Sequence, residues 1–265
     1  MNILTFQIAD WFHTHKNRKY VSGYIWNELP SRLEDKTVKL LEFLESVDVK
    51  ATFFILGWVA ENNPSVVKQI FNAGHEIAAY SNWCHNAQKL VPEDFERDLI
   101  MCLSRISNVT GEKVTIYRAP GFSLKSNDDW AFEILNNYGI LIDSSVQLYK
   151  SNNRGPFERE TSNGSILEFP LLKTMFGFPY SGGGYFRVLP PKVILEYMRN
   201  SNYNLLYLHP RDLDPDNPNS NLFSAFRNWF NRYNAEGTLP KLSAILRQHK
   251  TMTIGEAANE YLRKK

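Results

Sequence analysis

Five places in the chain carry side chains able to accept or donate protons, or to ligate a metal. Gln7, Asp10 and His13 sit at and just after the end of the apolar run Ile3 to Ile8. Tyr80 to His85, with Cys84 among them, lie at the end of the short run Glu76 to Ser81. Arg118 ends Val114 to Arg118, Asp143 lies near the end of Ile140 to Ser144, and His209 follows Asn204 to Leu208. Asp10, His13, Cys84 and His85 are metal-ligand types. Arg118 is a fixed cation, and Asp143 and His209 are acid–base groups. These types suggest a site, though they do not name a reaction.

The segments that must position them alternate in character. Ile3 to Ile8, Ala51 to Leu56 and Asn204 to Leu208 are apolar runs of strand length. Between them lie helical stripes, such as Leu33, Leu40, Leu41, Leu44 and Val47. Asn63-Pro64 offers a helix start and Gly74 its stop, and Pro92 opens another helix. Ser126 is the expected cap of a helix with Asp128 and Asp129 in its first turn. Pro191 to Asn200 reads as a late helix, and Thr251 to Ile254 as a last strand before a closing helix. Repeated β–α units predict an α/β protein with a parallel sheet, and the lack of any linker or repeat predicts one domain over residues 1–265. In a βα barrel all five places meet at the C-terminal mouth.

Composition narrows the partners. The net charge of +2 gives no argument for nucleic acid or an anionic membrane. Two cysteines, Cys84 and Cys102, do not make a disulfide framework. The first residues have neither a basic nor an apolar signal region, and no apolar run approaches the ~18 residues of a membrane span. The expected location is the cytoplasm. At 14% aromatic residues the chain has either a large core or a sugar-stacking surface.

Seven segments in order carry a resemblance: LTFQIADWFH (4–13), ATFFILGWVAENNP (51–64), AGHEIAAYSNWCHN (73–86), YRAPGFS (117–123), IDSS (142–145), GGGYFRVLP (182–190) and LYLHPRDLDP (206–215). The chain resembles the NodB-like polysaccharide deacetylases of carbohydrate esterase family 4. The closest likeness is to the branch found with exopolysaccharide and O-antigen assembly. The resemblance implies a distorted, seven-stranded (β/α) barrel and hydrolysis of N-acetyl groups on sugars. It also implies a saccharide or N-acetylated sugar as ligand, with other polysaccharide-assembly proteins as further partners.

Carried over by position, the resemblance places the family's general base at Gln7, its metal carboxylate at Ala9 and its two metal histidines at Tyr80 and Cys84. All four groups are replaced. Gln7 does not accept a proton from water near neutral pH, Ala9 has no ligand atom, and a phenol with a pKa near ~10 is a poor ligand. No metal or other cofactor is therefore expected, unless Asp10, His13, Cys84 and His85 rebuild a site. Three catalytic positions are kept: Arg118, which pairs with the base in the family, and Asp143 with His209, the aspartate–histidine pair whose histidine is the general acid. Asp10, Trp11, Trp83, Phe122 and Tyr185 are the expected groove residues. Gly182-Gly183-Gly184 either forms a tight turn or lines the groove.

Overall fold

The computed structural model describes residues 1–14, 23–149, 155–174, 176–221 and 223–265. Its strands, in chain order, are β1 (Asn2–Ile8), β2 (Thr52–Ile55), β3 (Glu76–Ala79), β4 (Ile116–Tyr117), β5 (Ile142–Asp143), β6 (Gln147–Tyr149), β7 (Phe157–Thr161), β8 (Gly164–Glu168), β9 (Leu171–Lys173) and β10 (Asn204–Leu208). Eight of them make one sheet in the order β10-β1-β2-β3-β4-β5-β8-β7, and β6 pairs with β9 beside it. Every pairing from β10 through β8 is parallel, and only β7 runs antiparallel. The sheet curls into a half-barrel.

The parallel strands are apolar because both faces are covered. From Ile3 to Ile8 every residue of β1 is buried. The helix Leu33–Ser46 turns Leu33, Leu40 and Leu44 to the core, and Pro64–Asn72 turns in Val66, Val67 and Ile70. The helix Pro92–Thr110 buries Phe95, Leu99, Cys102 and Ile106 and ends on left-handed Gly111.

One strand is added and two expectations change. Beside the seven parallel strands β10 through β8, the described residues add an eighth, antiparallel one, because Phe157–Thr161 joins β8 through the two-residue turn Ser162–Asn163. Its Glu158, Arg159 and Glu160 hide it from a search for apolar runs, and such charges suit an edge strand. The expected strand Thr251 to Ile254 contracts to one bridge between Met252 and Ile3, ahead of the point where β2 takes over that side of β1. Asp128, not Ser126, stands at the cap position of the helix Asp129–Asn137, and its carboxylate accepts from the backbone N–H of Lys125.

The parallel pairing fixes the site's location. β1, β3, β4, β5 and β10 all point the same way. The residues that follow their C-terminal ends therefore gather at one edge of the sheet.

Candidate functional site

At that edge lies a cavity of about 830 Å³. Gln7 and Ala9 line it from the end of β1, Tyr80 and Cys84 from beyond β3, Phe122 from beyond β4, and Tyr207 and His209 from β10. Gly183, Gly184, Tyr185 and Arg187 come from the helix Gly183–Val188; Phe226, Arg227 and Phe230 come from the helix Ala225–Arg232.

The glycine triplet is explained by close packing. A Cβ on Gly182 would lie 2.3 Å from the carbonyl oxygen and ring of Tyr207, and one on Gly184 would lie 2.0 Å from the Phe230 ring. Gly183 adds a left-handed φ of 55°. The triplet thus starts a helix, and Gly183 and Gly184 line the groove.

Three expected groove residues are elsewhere. The Asp10 carboxylate accepts from the Trp11 N–H at 2.7 Å, the Ser31 hydroxyl at 2.6 Å and the Arg32 N–H at 3.1 Å. It anchors the segment before Leu33–Ser46 and is not available to the groove. Trp11 donates its indole N–H to the Pro30 carbonyl and packs edge-on against Phe12 and Phe223, as a core residue. Trp83 packs against Trp26, with the Arg105 guanidinium over its ring. Its backbone is fixed by Asp98, which accepts from the N–H groups of Asn82 and Trp83 at 2.8 and 3.0 Å. Phe122 and Tyr185 do line the cavity.

The floor is neutral and rich in donors. His13 lies against the rings of Phe12, Trp26 and Trp58. Its Nδ1 accepts from the Asp10 N–H at 2.9 Å, so the ring proton sits on Nε2. Burial holds its pKa well below the ordinary value, and the ring stays uncharged. His13 Nε2 and the Gln7 amide nitrogen are both buried and meet no acceptor among the described residues. Burial pushes the Tyr80 phenol further up, so it does not ionise. Cys84 lines the cavity from a left-handed backbone with φ 56°.

Arg118 is completely buried behind this wall and outside the cavity lining. Its hydrogen bonds go to the Ser144 carbonyl at 3.2 Å, the Thr5 hydroxyl at 2.9 Å and the Ser144 hydroxyl at 3.0 Å. The rings of Phe54 and Phe122 lie at 3.8 and 4.7 Å. With Gln7 at the base position, no carboxylate hydrogen-bonds Arg118 among the described residues; neutral oxygens and aromatic faces hold it. Burial lowers its pKa to about 9.

The expected Asp143–His209 pair is also corrected. Asp143 pairs in register with Glu168 of β8 and accepts from the N–H and hydroxyl of Ser145 at 2.9 and 2.6 Å. His209 instead finds a carboxylate three residues on, where the chain turns into the one-turn helix Pro210–Leu213. Asp212 Oδ2 accepts from the His209 backbone N–H at 2.9 Å and lies 3.2 Å from Nδ1. Arg187 Nε donates to Asp212 Oδ1 at 3.1 Å, and Arg187 also donates to the carbonyls of Phe230, Asn231 and Tyr233. Arg211 Nη2 lies 3.3 Å from His209 Nε2. A guanidinium has only donors, so Nε2 is the acceptor and Nδ1 carries the proton toward Asp212. Burial first, then Arg211, lowers the His209 pKa to about 4. Arg187, Tyr207, Arg211, Asp212, Arg227 and Phe230 were not expected here, although three of them stand inside the segment Leu206–Pro215.

Residues 16–141 match the polysaccharide deacetylase family, and residues 137–259 match a domain of unknown function (DUF3473). Over 98 residues the chain is 34% identical to the peptidoglycan-N-acetylglucosamine deacetylase of Bacillus cereus, covering 37% of this chain and 36% of that protein. The chain thus spans about a third of the length of that curated relative. A solved structure from Mycobacterium smegmatis, described as a polysaccharide deacetylase, superimposes with TM-score 0.68 at 17% identity, covering 99% of this chain and 90% of that one. A carbohydrate esterase family 4 pseudoenzyme from Bacillus anthracis superimposes with TM-score 0.53 at 16% identity, covering 97% and 64%. The fold is that of the family 4 carbohydrate esterases. Residues 16–141 carry the sequence likeness to the polysaccharide deacetylase family.

A divalent metal does not fit the groups present. Gln7, Ala9 and Tyr80 supply an amide, a methyl and a protonated phenol, and a single thiol such as Cys84 is not a site. The unmatched buried atoms, Gln7 Nε2 and His13 Nε2, are N–H donors, which suit an acceptor and not a cation. Among the described residues no three His, Cys, Asp or Glu side chains form a metal-binding group. Among those residues, too, no helix is long and apolar enough to cross a membrane.

Proposed function

We propose that this protein is a metal-free, saccharide-binding member of the polysaccharide deacetylase family with weak or no hydrolysis, serving bacterial cell-surface polysaccharide assembly. The observation that carries the reading is a groove kept without its chemistry. The cavity of about 830 Å³ has room for sugar units, and Tyr185 and Phe226 present rings that are 43% and 71% exposed at its side. Its floor nevertheless holds no base for water: Gln7 is an amide, and His209 has its Nε2 lone pair engaged by Arg211. Activation of water by a metal lowers the pKa of the bound molecule from about 15.7 to about 7, and general base catalysis adds roughly 10²–10⁴ in rate. Neither is provided by the groups lining the cavity. A metal-independent hydrolase built on Asp143, His209 and Arg118 is disfavoured, since Asp143 and Arg118 lie outside the cavity lining.

The exopolysaccharide or O-antigen setting, a cytoplasmic location and association with other assembly proteins rest on the sequence resemblance and composition. The existence of a pseudoenzyme with a similar fold is consistent with the inactive reading. The test is calorimetric titration with tetra-N-acetylchitotetraose beside an acetate-release assay with and without chelator. Millimolar or tighter binding without acetate release is expected. Release at ordinary enzyme rates, whether or not chelator abolishes it, overturns the reading.

A further inference from the structure

We infer that the groove takes an anionic saccharide, one whose carboxylate or phosphate is held by Arg211 and Arg227. This deepens the proposed function and rests on its saccharide reading. Four cationic side chains line the cavity, Lys89, Arg187, Arg211 and Arg227, against one carboxylate, Asp212. Asp212 is already committed to Arg187 and His209. Arg211 and Arg227 have no carboxylate within 4.0 Å among the described residues. The remaining residues of the chain, 15–22, 150–154, 175 and 222, contain no Asp or Glu, so no counter-ion can come from them.

The two arginines are held by neutral contacts that leave most of their N–H groups open. Arg211 reaches His209 Nε2 at 3.3 Å. Arg227 reaches the Thr14 hydroxyl at 3.3 Å and lies over the Phe223 ring at 4.9 Å. Arg227 is less basic than an ordinary arginine, because of burial first and then the nearby Arg211. A bound oxyanion removes that repulsion and accepts the forked donors of a guanidinium.

The floor adds a second, independent observation. Gln7 Nε2 and His13 Nε2 are buried N–H donors without an acceptor among the described residues, and both residues line the same cavity. Arg211 and Arg227 thus line a space in which the carboxylate of Asp212 is already paired, and two unmatched buried N–H donors belong to residues of the same wall. Sugar hydroxyls alone would supply only uncharged acceptors. They would not neutralise two guanidiniums, which is why the ligand is assigned a charge.

The test is calorimetric titration of the full chain with four probes. They are tetra-N-acetylchitotetraose, a tetrasaccharide of alternating glucuronate and N-acetylglucosamine, N-acetylglucosamine 6-phosphate, and inorganic phosphate. At least one anionic sugar should bind roughly tenfold or more tighter than the neutral one, with about tenfold lost in each of Arg211→Gln and Arg227→Gln. The glucuronate and phosphate arms tell which oxyanion is preferred. Raising salt should weaken the anionic sugar and leave the neutral one unchanged, a readout that needs no variant. Equal affinity for neutral and anionic sugars overturns this inference and leaves the saccharide reading standing. Inorganic phosphate binding as tightly as the sugar phosphate overturns it from the other side, because the sugar then contributes nothing. Binding of none of the four removes both readings.

Discussion

Replacing Glu168 with glutamine should stabilise the protein, and more so as pH rises. Asp143 and Glu168 are both completely buried and face each other across β5 and β8. Glu168 Oε1 accepts from the Val146 N–H at 3.1 Å, while Oε2 meets no protein donor among the described residues. Asp143 is occupied by Ser145 on both oxygens. Burial and the neighbouring Asp143 drive the Glu168 pKa well above the carboxylate range, so Glu168 keeps its proton and donates it to Asp143. In the unfolded chain both groups ionise near ~4. Above that pH the folded state binds one more proton than the unfolded state, and stability falls by about 1.4 kcal/mol per pH unit until the folded pKa is reached. The glutamine side chain of Glu168→Gln has the same shape, keeps the acceptor for Val146 and donates an amide N–H to Asp143 without needing a proton. The difference between variant and wild type should therefore grow in favour of the variant by about 1.4 kcal/mol per pH unit above pH ~5. Urea unfolding followed by tryptophan fluorescence between pH ~5 and pH ~8, in steps of about half a unit, measures this directly. Parallel pH profiles for the two proteins would show that the pair does not hold a proton, and the reasoning would fail.

Lowering the pH should act on the histidines with the opposite sign. The pKa values of His209 and His75 are each lowered to about 4 from 6.5, so their neutral forms support the fold above pH 6.5 and that support is lost as pH falls toward 4. His209→Gln should remove about 2.4 kcal/mol of that acid dependence, read from urea midpoints near pH ~7 and pH ~4.5. Gly182→Ala should cost about 1–3 kcal/mol, because its Cβ would fall 2.3 Å from the Tyr207 backbone oxygen, which a rotamer change does not clear. A thermal melt checks it, and an unchanged midpoint would show that the strand end yields. Elemental analysis of the purified protein should find no stoichiometric zinc, whereas the variant Gln7→Asp, Ala9→Asp, Tyr80→His, Cys84→His should bind one zinc per chain, since it supplies three ligands and a base at the cavity wall.

The fold was legible wherever burial demanded an unbroken apolar run or a clean helical stripe. The ends of β2, β10 and the helix Pro92–Thr110 follow such signals. β7 escaped because its sequence FERET carries edge charges. The site was legible as a set of strand ends, since parallel pairing alone brings those ends together. Its pairings were not. Spacing does not tell where a carboxylate points, and Asp143 meets Glu168 only because the register of β5 on β8 sets them side by side. The local partner of His209 did have a signal. His209 and Asp212 stand three apart around Pro210, a helix-start spacing at which the Asp212 carboxylate accepts from the His209 backbone N–H while the Asp212 N–H donates to the His209 carbonyl.

The replaced positions and the unpaired arginines belong to one electrostatic arrangement. A divalent cation about 8 Å from a guanidinium, at an effective dielectric near ~20, is repelled by on the order of 4 kcal/mol. Two guanidiniums roughly double that, and acidic ligands are what normally offset such a charge. At the first-strand positions that would carry them stand Gln7 and Ala9, and the nearest other acid of that segment, Asp10, is turned to Ser31 and Arg32. With the carboxylates gone the field in the cavity is set by Arg211, Arg227, Arg187 and Lys89. Such a field lowers the cost of a bound oxyanion by the same terms that raise the cost of a bound metal. Restoring the acids and removing the two arginines should therefore be synergistic: zinc affinity in the fourfold variant should rise further when Arg211→Gln and Arg227→Gln are added. An unchanged affinity would mean that the arginines lie too far from the floor, or are too well solvated, to set its charge preference.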